Sequence, residues 1–370
     1  MSLFSRSDRG VLSTWWWTLD RFLLAGFVGL AVFGFVLVLA SSPPVARRLA
    51  LPETQFVVKH GLFLLPALLL LLGTSLLAPR GVLRLATAML GVFGALLVVT
   101  PLAGPEIKGA TRWLPIGGVL VQPSEFVKPA LAVVVGYMLA RRPGLSGLPQ
   151  ALGLVAPVIG LLVIQPDLGM TFLVAAVLST QLFVAGLPWL VLFAGGAIGV
   201  AGGWGAYHLF DHVRQRVDAF LDPDLTPYQV EAALRAIANG GLLGVGPGQG
   251  VVKYHLPEAH ADFVFATMAE EFGILACLLV LLLFALLVLR GLSRLHASED
   301  RFVLLAGTGL VAQFALQALV NMGVNLAVLP TKGMTLPFLS YGGSSLLALA
   351  LGAGMLLALT RRGARLEMAT

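Results

Sequence analysis

The sequence predicts an all-α, polytopic integral membrane protein with about ten transmembrane helices. Apolar residues make up 58% of the 370-residue chain, and charged residues only 11%, whereas soluble domains carry roughly 25% charged residues. Mean hydropathy is +0.92. Several apolar runs also reach the roughly 20 residues that a helix needs to cross a hydrocarbon core. We expect no nucleic-acid partner, because the chain has neither a basic stripe nor a recognisable nucleic-acid-binding module.

Ten apolar spans follow one another along the chain. We predict them at residues 22–41, 57–78, 81–101, 124–140, 150–165, 168–186, 189–209, 263–289, 303–327 and 340–360. The first run is longer than the apolar part of a signal peptide and lacks a convincing cleavage site, so we expect it to remain as a helix. We predict a single membrane domain over residues 1–370, with one long polar loop at about 211–261.

The distribution of arginines orients these spans. An even number of spans places both termini on one side of the membrane. That side receives Arg6, Arg9, Arg21, Arg80, Arg84, Arg141, Arg142, Arg290, Arg294, Arg301, Arg361, Arg362 and Arg365. Because basic residues concentrate in cytoplasmic loops, we predict cytoplasmic termini. The 211–261 loop is then extracytoplasmic.

Three predicted helices begin at the outer face with a proline followed by a carboxylate. The fourth opens "QPSEFVK", the sixth "QPDLG" and the eighth "LPEAHAD". Their acids, expected at similar depth, are Glu125, Asp167, Glu258 and Asp262. For any one acid taken singly, a favourable interaction with the helix dipole, about 0.3–1 kcal/mol, is a sufficient explanation.

Helix dipoles do not explain the whole set. Glu125 and Lys128 are spaced to pair on one helix face. Glu270 and Glu271 lie about 12–13 Å further along a helix than Asp262, and acids inside a membrane by default face a polar interior or cavity. We therefore predict an outward-opening polar cavity that Glu270 and Glu271 continue inward.

Two further outer loops carry cations and aromatic residues. Their candidate ligand contacts are Lys108, Arg112, Trp113, Lys332, Ser340 and Tyr341. Trp113 is explained equally well as an interfacial residue, and "SYGGSS" as helix capping and close packing. Cations beside carboxylates nevertheless suit an anionic ligand that undergoes proton transfer.

No metal-ligand motif stands out in the sequence. His255 and His260 are five residues apart across a proline, which is a poor spacing for ligands. The single cysteine, Cys277, excludes a multi-cysteine site. We predict no dedicated metal site and leave open a divalent cation, Mg²⁺ or Mn²⁺, held by carboxylates. The stretch "GVGPGQG" lacks the context of a phosphate loop, so we expect a flexible or tight turn there.

Five stretches together resemble the SEDS family (shape, elongation, division, sporulation). In the family's order they are "KGATRWLPIGGVLVQPSEFVK", "QPDLG", "GGLLGVGPGQG", "LPEAHADFVFATMAEEFG" and "NMGVNLAVLPTKGMTLPFLSYGGSS". The "LPTKG" and "TLPF" of the last stretch look more like the cell-division branch than the elongation branch. The chain departs from the family at Ala261, which replaces a common threonine, and at Ala232, Ala233 and Arg235.

The resemblance implies a peptidoglycan glycosyltransferase of the cytoplasmic (inner) membrane, at the division septum. Its substrate is lipid II, an undecaprenyl-pyrophosphoryl disaccharide-pentapeptide. Its expected partners are a class B penicillin-binding transpeptidase and other divisome membrane proteins. The family's essential aspartate matches Asp262, and its other motif residues match Glu125, Lys128 and Asp167. Further substrate contacts are expected at Arg112, Trp113, Glu258, His260, Lys332, Ser340 and Tyr341.

This resemblance leads to a chemical hypothesis. Asp262 acts as general base on the 4-hydroxyl of the acceptor sugar, which attacks the donor's anomeric carbon and inverts it. Because the pyrophosphate leaves as a stable anion, no second acid is required, unlike in glycosidases. Arg112, Lys128, Lys332 or a bound cation balances the charge of the pyrophosphate.

A lipid II flippase is the main alternative, because an amphipathic cavity with buried ions also suits a transporter. The sequence shows no evident inverted repeat, and we predict no interrupted helix at mid-span. The polar residues also gather at one membrane face, which favours an enzyme. An elongation-type polymerase and a mainly structural scaffold remain as further alternatives.

Overall fold

Helices account for almost all regular structure in the part of the chain that the computed structural model describes. That part comprises residues 10–107, 109–222, 227–331 and 333–364, with all side chains except that of His212. Its helices are α1 (Val11–Thr18), α2 (Arg21–Ser41), α3 (Pro43–Arg48), α4 (Gln55–Ser75), α5 (Pro79–Ala103), α6 (Pro123–Arg141), α7 (Leu148–Ile164), α8 (Leu168–Val184), α9 (Trp189–Leu209), α10 (Asp211–Leu221), α11 (Tyr228–Gly240), α12 (Val264–His296), α13 (Arg301–Asn325) and α14 (Gly343–Leu359). Two short strands, β1 (Leu114–Ile116) and β2 (Val119–Val121), form an antiparallel hairpin.

All ten predicted spans are helices in the described part of the chain. They are α2, α4, α5, α6, α7, α8, α9, α12, α13 and α14. Their ends lie within three residues of the predictions, except that α12 continues to His296. Seven helical segments there are long and apolar enough to cross a membrane by length and composition, and α8 and α14 are shorter apolar helices. The prediction of a polytopic, all-α membrane protein is confirmed.

The two ends of the described chain meet on one face of the bundle. Asp20 caps α2 and pairs with Arg290 and Arg294 near the end of α12, at 2.9 and 2.6 Å. Arg361 follows α14 and donates from Nε to the Thr18 hydroxyl at 2.9 Å. The ends therefore lie on the same side, as an even number of spans requires.

The centre of the bundle is α13, which packs against α6, α8, α12 and α14. Of its apolar span, 78% is buried inside the protein, against 0% for α9. Its buried face carries a row of amide side chains at four-residue spacing. They are Gln313, Gln317, Asn321 and Asn325. Because polar groups are costly against lipid, this row faces the protein interior.

Helix α12 is interrupted at Gly273, whose φ of 79° and ψ of 174° are not helical. Residues 241–246 lie against the break and complete its backbone hydrogen bonding. Four main-chain bonds do this, with the amides of Ile274, Leu275, Val245 and Gly246 donating to the carbonyls of Gly241, Leu242, Glu270 and Glu271. The prediction of no interrupted helix was wrong. Hydropathy does not register the break, because a segment outside the helix satisfies the freed backbone groups.

Close backbone contact explains two glycines at this junction. A Cβ on Gly273 would lie 2.3 Å from the Leu242 carbonyl oxygen, and one on Gly244 would lie 2.2 Å from that of Glu271. The stretch "GVGPGQG" therefore turns tightly and packs against α12.

Helices occur in the described part of the polar segment 211–261, residues 211–222 and 227–261. The segment contains α10 and α11, and α11 buries Val230, Ala233 and Ala236. Helix α11 packs against α12. These helices did not stand out in the sequence, because they are short and only one face of each is apolar.

Candidate active site

Asp262 lies in a series of turns before α12, which begins at Val264. The prediction that "LPEAHAD" opens the eighth helix was wrong, and a first-turn dipole effect does not apply to Glu258 or Asp262. Glu258 has a positive φ of 57°. The segment is not helical because its carbonyl groups accept hydrogen bonds from other parts of the chain.

Four successive carbonyl groups, from Ala259 to Asp262, are held in this way. The donors are Thr267 Oγ1 to Ala259 at 3.2 Å, Tyr341 N to His260 at 2.8 Å, Ser340 Oγ to Ala261 at 2.6 Å, and the Nδ2 atoms of Asn321 and Asn325 to Asp262, both at 2.9 Å. These contacts come from α12, α13 and the segment before α14. They fix the main chain on both sides of the half-buried Asp262 carboxylate.

Glu125 and Lys128 form the pair that their spacing predicts. The Glu125 Oε2 to Lys128 Nζ distance is 2.9 Å, and both side chains are buried. Lys128 also donates to Gln317 Oε1 at 3.0 Å. Gln317 Nε2 donates to the carbonyl and hydroxyl of Thr335. Thr335 Oγ1 in turn lies 2.7 Å from Ser345 Oγ. A continuous polar chain thus links α6, α13 and the start of α14.

Arg112 and Asp167 form a second acid–cation pair. Arg112 Nε lies 3.7 Å from Asp167 Oδ2 and donates to the Gln165 carbonyl at 3.4 Å. Asp167 caps the N-terminus of α8. Burial raises the pKa of the Asp167 carboxyl, although Arg112 acts in the opposite direction, and the charges of Glu125 and Lys128 also reach it. The charges of the two pairs are therefore near enough to influence each other.

His260 and Tyr341 belong to an aromatic group beside the Asp262 segment. The His260 ring centroid lies 4.5 Å from that of Phe56 and 5.0 Å from that of Tyr341. His60 lies 6.0 Å from Tyr341. Burial raises the pKa of the Tyr341 hydroxyl. Ser340 is buried, and its hydroxyl donates to the Ala261 carbonyl. Ser340, Tyr341 and His260 therefore hold the turns that precede α12.

The remaining predicted contacts lie nearer the surface or outside the described residues. Trp113 and Glu258 are half-buried. The Trp113 carbonyl packs against Gly104, where a Cβ would approach it to 2.7 Å. Lys108 and Lys332 lie outside the described residues. A substrate role for each of these four residues stays a prediction.

Glu270 and Glu271 do not line a cavity, and that prediction was wrong. Glu270 is fully buried and accepts hydrogen bonds from the Asn239 side chain and from three main-chain amides, those of Val251, Val252 and Lys253. Glu271 pairs with buried Lys253, which also donates to the Ala40 carbonyl at 2.8 Å. The segment before α12 folds back onto the N-terminal part of that helix, so both acids bind that segment.

Gln317, Asn321 and Asn325 were missed as candidate site residues. Their signal in the sequence is a run of amides four residues apart within an apolar span, which places them on one helix face. That spacing predicts a polar interior face, but not which groups it contacts.

No metal centre is evident among the described residues, where no group of three or more His, Cys, Asp or Glu side chains is placed to hold an ion. Glu125 and Asp167 each have a cationic side chain as neighbour instead.

The fold and the site define a polytopic membrane protein with acid–cation pairs near the starts of α6 and α8. A family model described as a cell cycle protein, for FtsW, RodA and SpoVE, matches residues 21–364. The chain belongs to this FtsW/RodA/SpoVE family. The resemblance that its motifs predict is confirmed.

Curated relatives match over most of their length. A probable peptidoglycan glycosyltransferase FtsW from Caulobacter vibrioides is 43% identical over 336 residues, which cover 89% of this chain and 86% of the relative. A protein of the same name from Allochromatium vinosum is 36% identical, over 85% of this chain and 83% of the relative.

Solved structures share the fold. A chain from a peptidoglycan synthase complex, in a study of the coordination of polymerization and crosslinking, superposes with a TM-score of 0.80 at 30% identity. The match covers 93% of this chain and 98% of the chain from the complex. The crystal structure of the rod shape determining protein RodA from Thermus thermophilus gives a TM-score of 0.71 at 30% identity. The match covers 95% of this chain and 99% of the RodA chain.

Proposed function

We propose that the chain is a peptidoglycan glycosyltransferase that polymerises lipid II into glycan strands at the outer face of the cytoplasmic membrane. Two amides of α13, Gln317 and Asn321, carry the proposal. Gln317 binds Lys128, and Asn321, one turn further along the helix, binds the Asp262 main chain. The acid and the cation are thus held by neighbouring side chains about 6 Å apart along one helix axis.

Asp262 is the proposed general base. It removes the proton from the acceptor's 4-hydroxyl as that oxygen attacks the donor's anomeric carbon, and the carbon–oxygen bond to the lipid pyrophosphate breaks. Attack from the opposite face inverts the anomeric centre. The pyrophosphate leaves as an anion, so the site must supply positive charge and not a second acid.

Lys128 and Arg112 are the proposed sources of that charge. An ammonium group has three N–H donors, and Lys128 directs two of them to Glu125 and Gln317. Among the described residues the third N–H has no recorded acceptor, and we propose that it binds a phosphate oxygen. Lys332 and a divalent cation, Mg²⁺ or Mn²⁺, are proposed as further sources, which makes polymerisation with each ion and with a chelator a useful comparison.

Polymerisation of purified lipid II by the purified protein tests the proposal. We expect Asp262→Asn, which keeps the side-chain shape, to lower the rate by about 10²–10⁴-fold, the usual contribution of a general base. Asp211→Asn is the matched control, because that acid lies on α10 with its side chain 88% exposed. Wild-type polymerisation by Asp262→Asn would overturn the assignment.

A lipid II flippase remains the second candidate because of the break in α12. Interrupted helices are a feature of transporters. Here, however, residues 241–246 fill the break at Gly273. Lipid II translocation in proteoliposomes separates the two functions. A flippase moves lipid II from one leaflet to the other, whereas a polymerase joins lipid II molecules without moving them across the bilayer.

A division role is supported by the names of the relatives and by the "LPTKG" and "TLPF" stretch. The proposed location is the division septum of the inner membrane, and the proposed partners are a class B penicillin-binding transpeptidase and other divisome proteins. A fluorescently tagged chain should gather at the septum, whereas side-wall localisation would indicate an elongation-type polymerase.

A further inference from the structure

We propose that Asn325, with Asn321, positions Asp262 for the reaction by holding its main chain from another helix. This inference rests on the proposed function, because Asp262 is the base only if the chain is the polymerase. Both asparagines donate from Nδ2 to the Asp262 carbonyl oxygen, at 2.9 Å each. A carbonyl oxygen has two lone pairs, so the two amides satisfy its hydrogen-bonding capacity.

Asn325 binds the main chain of the acid itself and that of a residue four positions later. Its Oδ1 accepts from the Ala266 amide at 3.0 Å, while its Nδ2 binds the Asp262 carbonyl. Ala266 lies in the first turn of α12, where main-chain amides have no partner within their own helix. Asn325 therefore caps α12 from α13 and fixes the peptide after Asp262 in the same contact.

Burial restricts the orientations that the Asn321 and Asn325 side chains can adopt. Asn325 is 0% exposed and Asn321 is 2% exposed. Asn321 Nδ2 also donates to the Met334 carbonyl at 2.6 Å, and Asn325 Nδ2 to the Asn321 carbonyl at 2.9 Å. Neither side chain can turn away without leaving buried groups unsatisfied, which is costly. The direction in which the Asp262 side chain leaves the backbone is thereby set.

The loop between α13 and α14 comes close to the Asp262 carboxylate at Gly333. A Cβ on Gly333 would lie 3.2 Å from Asp262 Oδ2. A small rotation of the Asp262 main chain therefore changes the approach of its carboxylate to this segment. Misplacement of a reacting group by about 1 Å can cost 10²-fold in rate, so losing the amides should lower turnover while the acid itself remains.

Turnover kinetics of Asn325→Ala provide the first test. We expect kcat to fall about 10- to 100-fold, with KM changed less than threefold, because substrate contacts are intact and the base is misplaced. The acid limb of the pH–rate profile should persist, since Asp262 is still present. Gln313→Ala is the matched control. Gln313 is a buried amide of the same row, about 18 Å from Asn325 along the helix, and its variant should keep the wild-type rate.

A cross-linking experiment reports position without relying on activity. In a Cys277→Ser background, which removes the chain's only cysteine, Asp262→Cys and Gly333→Cys should form a disulfide under mild oxidation. We expect Asn325→Ala to slow that reaction at least fivefold and Gln313→Ala to leave it unchanged. If Asn325→Ala does not fold, Asn321→Ala removes one of the two donors and serves in its place.

The two readouts separate the inference from the proposed function. A cross-linking rate unaffected by Asn325→Ala overturns the positioning role, whatever the activity. Slower cross-linking together with full polymerisation by Asp262→Asn would instead show that the asparagines hold the segment but that Asp262 is not the base. Slower cross-linking with reduced kcat supports both.

Discussion

At the scale of single residues, the buried charges of Glu125 and Lys128 each need the other for compensation. Their side chains are only 9% and 3% exposed and lie 2.9 Å apart. Removing one partner of a buried pair leaves an uncompensated charge, at a cost of about 3–5 kcal/mol, whereas replacing both is often nearly neutral. Stability and catalysis should therefore respond differently to the same substitutions.

We expect Lys128→Met to lower the free energy of unfolding by about 3–5 kcal/mol. The double variant Glu125→Gln/Lys128→Met should recover much of that loss but no polymerisation, because the cation is still missing. Denaturant unfolding of the purified protein and lipid II turnover measure the two effects. The control is the exposed Arg235–Glu231 pair on α11, at 2.6 Å. Substituting Arg235 should leave stability nearly unchanged, and an equal effect at both pairs would contradict this account.

The sequence predicts the Glu125–Lys128 pair because a helix brings residues three apart together. It does not predict that Arg112 meets Asp167, or that Asn325 meets Asp262, because these residues are far apart in the chain. Hydropathy and motif spacing identify which residues are polar in an apolar setting. Their partners depend on how helices pack.

At the scale of elements, local information decides which predictions succeed. Each membrane helix is defined by its own length and composition, so all ten were found. The break in α12 and the turns before it depend on bonds from residues 241–246 and from α13. Those bonds replace the helical pattern, and no local window of sequence contains both partners.

Glycine at position 273 should be hard to replace. Gly273→Ala brings a Cβ within 2.3 Å of the Leu242 carbonyl oxygen at a φ of 79°, a conformation that favours glycine. We expect a clear drop in Tm in detergent. In the control variant Gly196→Ala, on α9, the new Cβ meets nothing within 4 Å, and alanine gains helix propensity of up to about 1 kcal/mol. A similar Tm for both variants would argue against close packing at the break.

At the scale of the whole molecule, Asp20 ties the start of the bundle to the end of α12. Burial alone would raise the pKa of the Asp20 carboxyl, but hydrogen bonds from Arg294 and the Leu23 amide, with the charge of Arg290, lower it overall. The folded pKa thus lies below the ordinary value of 3.8. The stabilisation is complete above that value and is lost as pH falls through the lower folded pKa.

We expect Asp20→Asn to lower Tm at pH 7 and to differ less from wild type below about pH 4, where the carboxylate of the unfolded chain begins to protonate before that of the folded protein. Asn still caps a helix, so Asp20→Ala should cost about 1 kcal/mol more. Thermal unfolding across this pH range measures both effects. Glu53→Gln, in an exposed pair with Arg47, should change Tm little at any pH. A pH-independent deficit for Asp20→Asn would count against the charge pair.

The bonds around Asp262 also have an order in time. Residues 241–246, which complete the break in α12, precede that helix in the chain and are already present when it is synthesised. The donors to the His260, Ala261 and Asp262 carbonyls all come from residues 321–341. They emerge from the ribosome 59 or more residues after Asp262. The scaffold of α12 can therefore form during synthesis, while the acid is fixed only after residues 321–341 have been made. A chain that ends before α13 contains Asp262 but lacks the residues that hold its main chain in place.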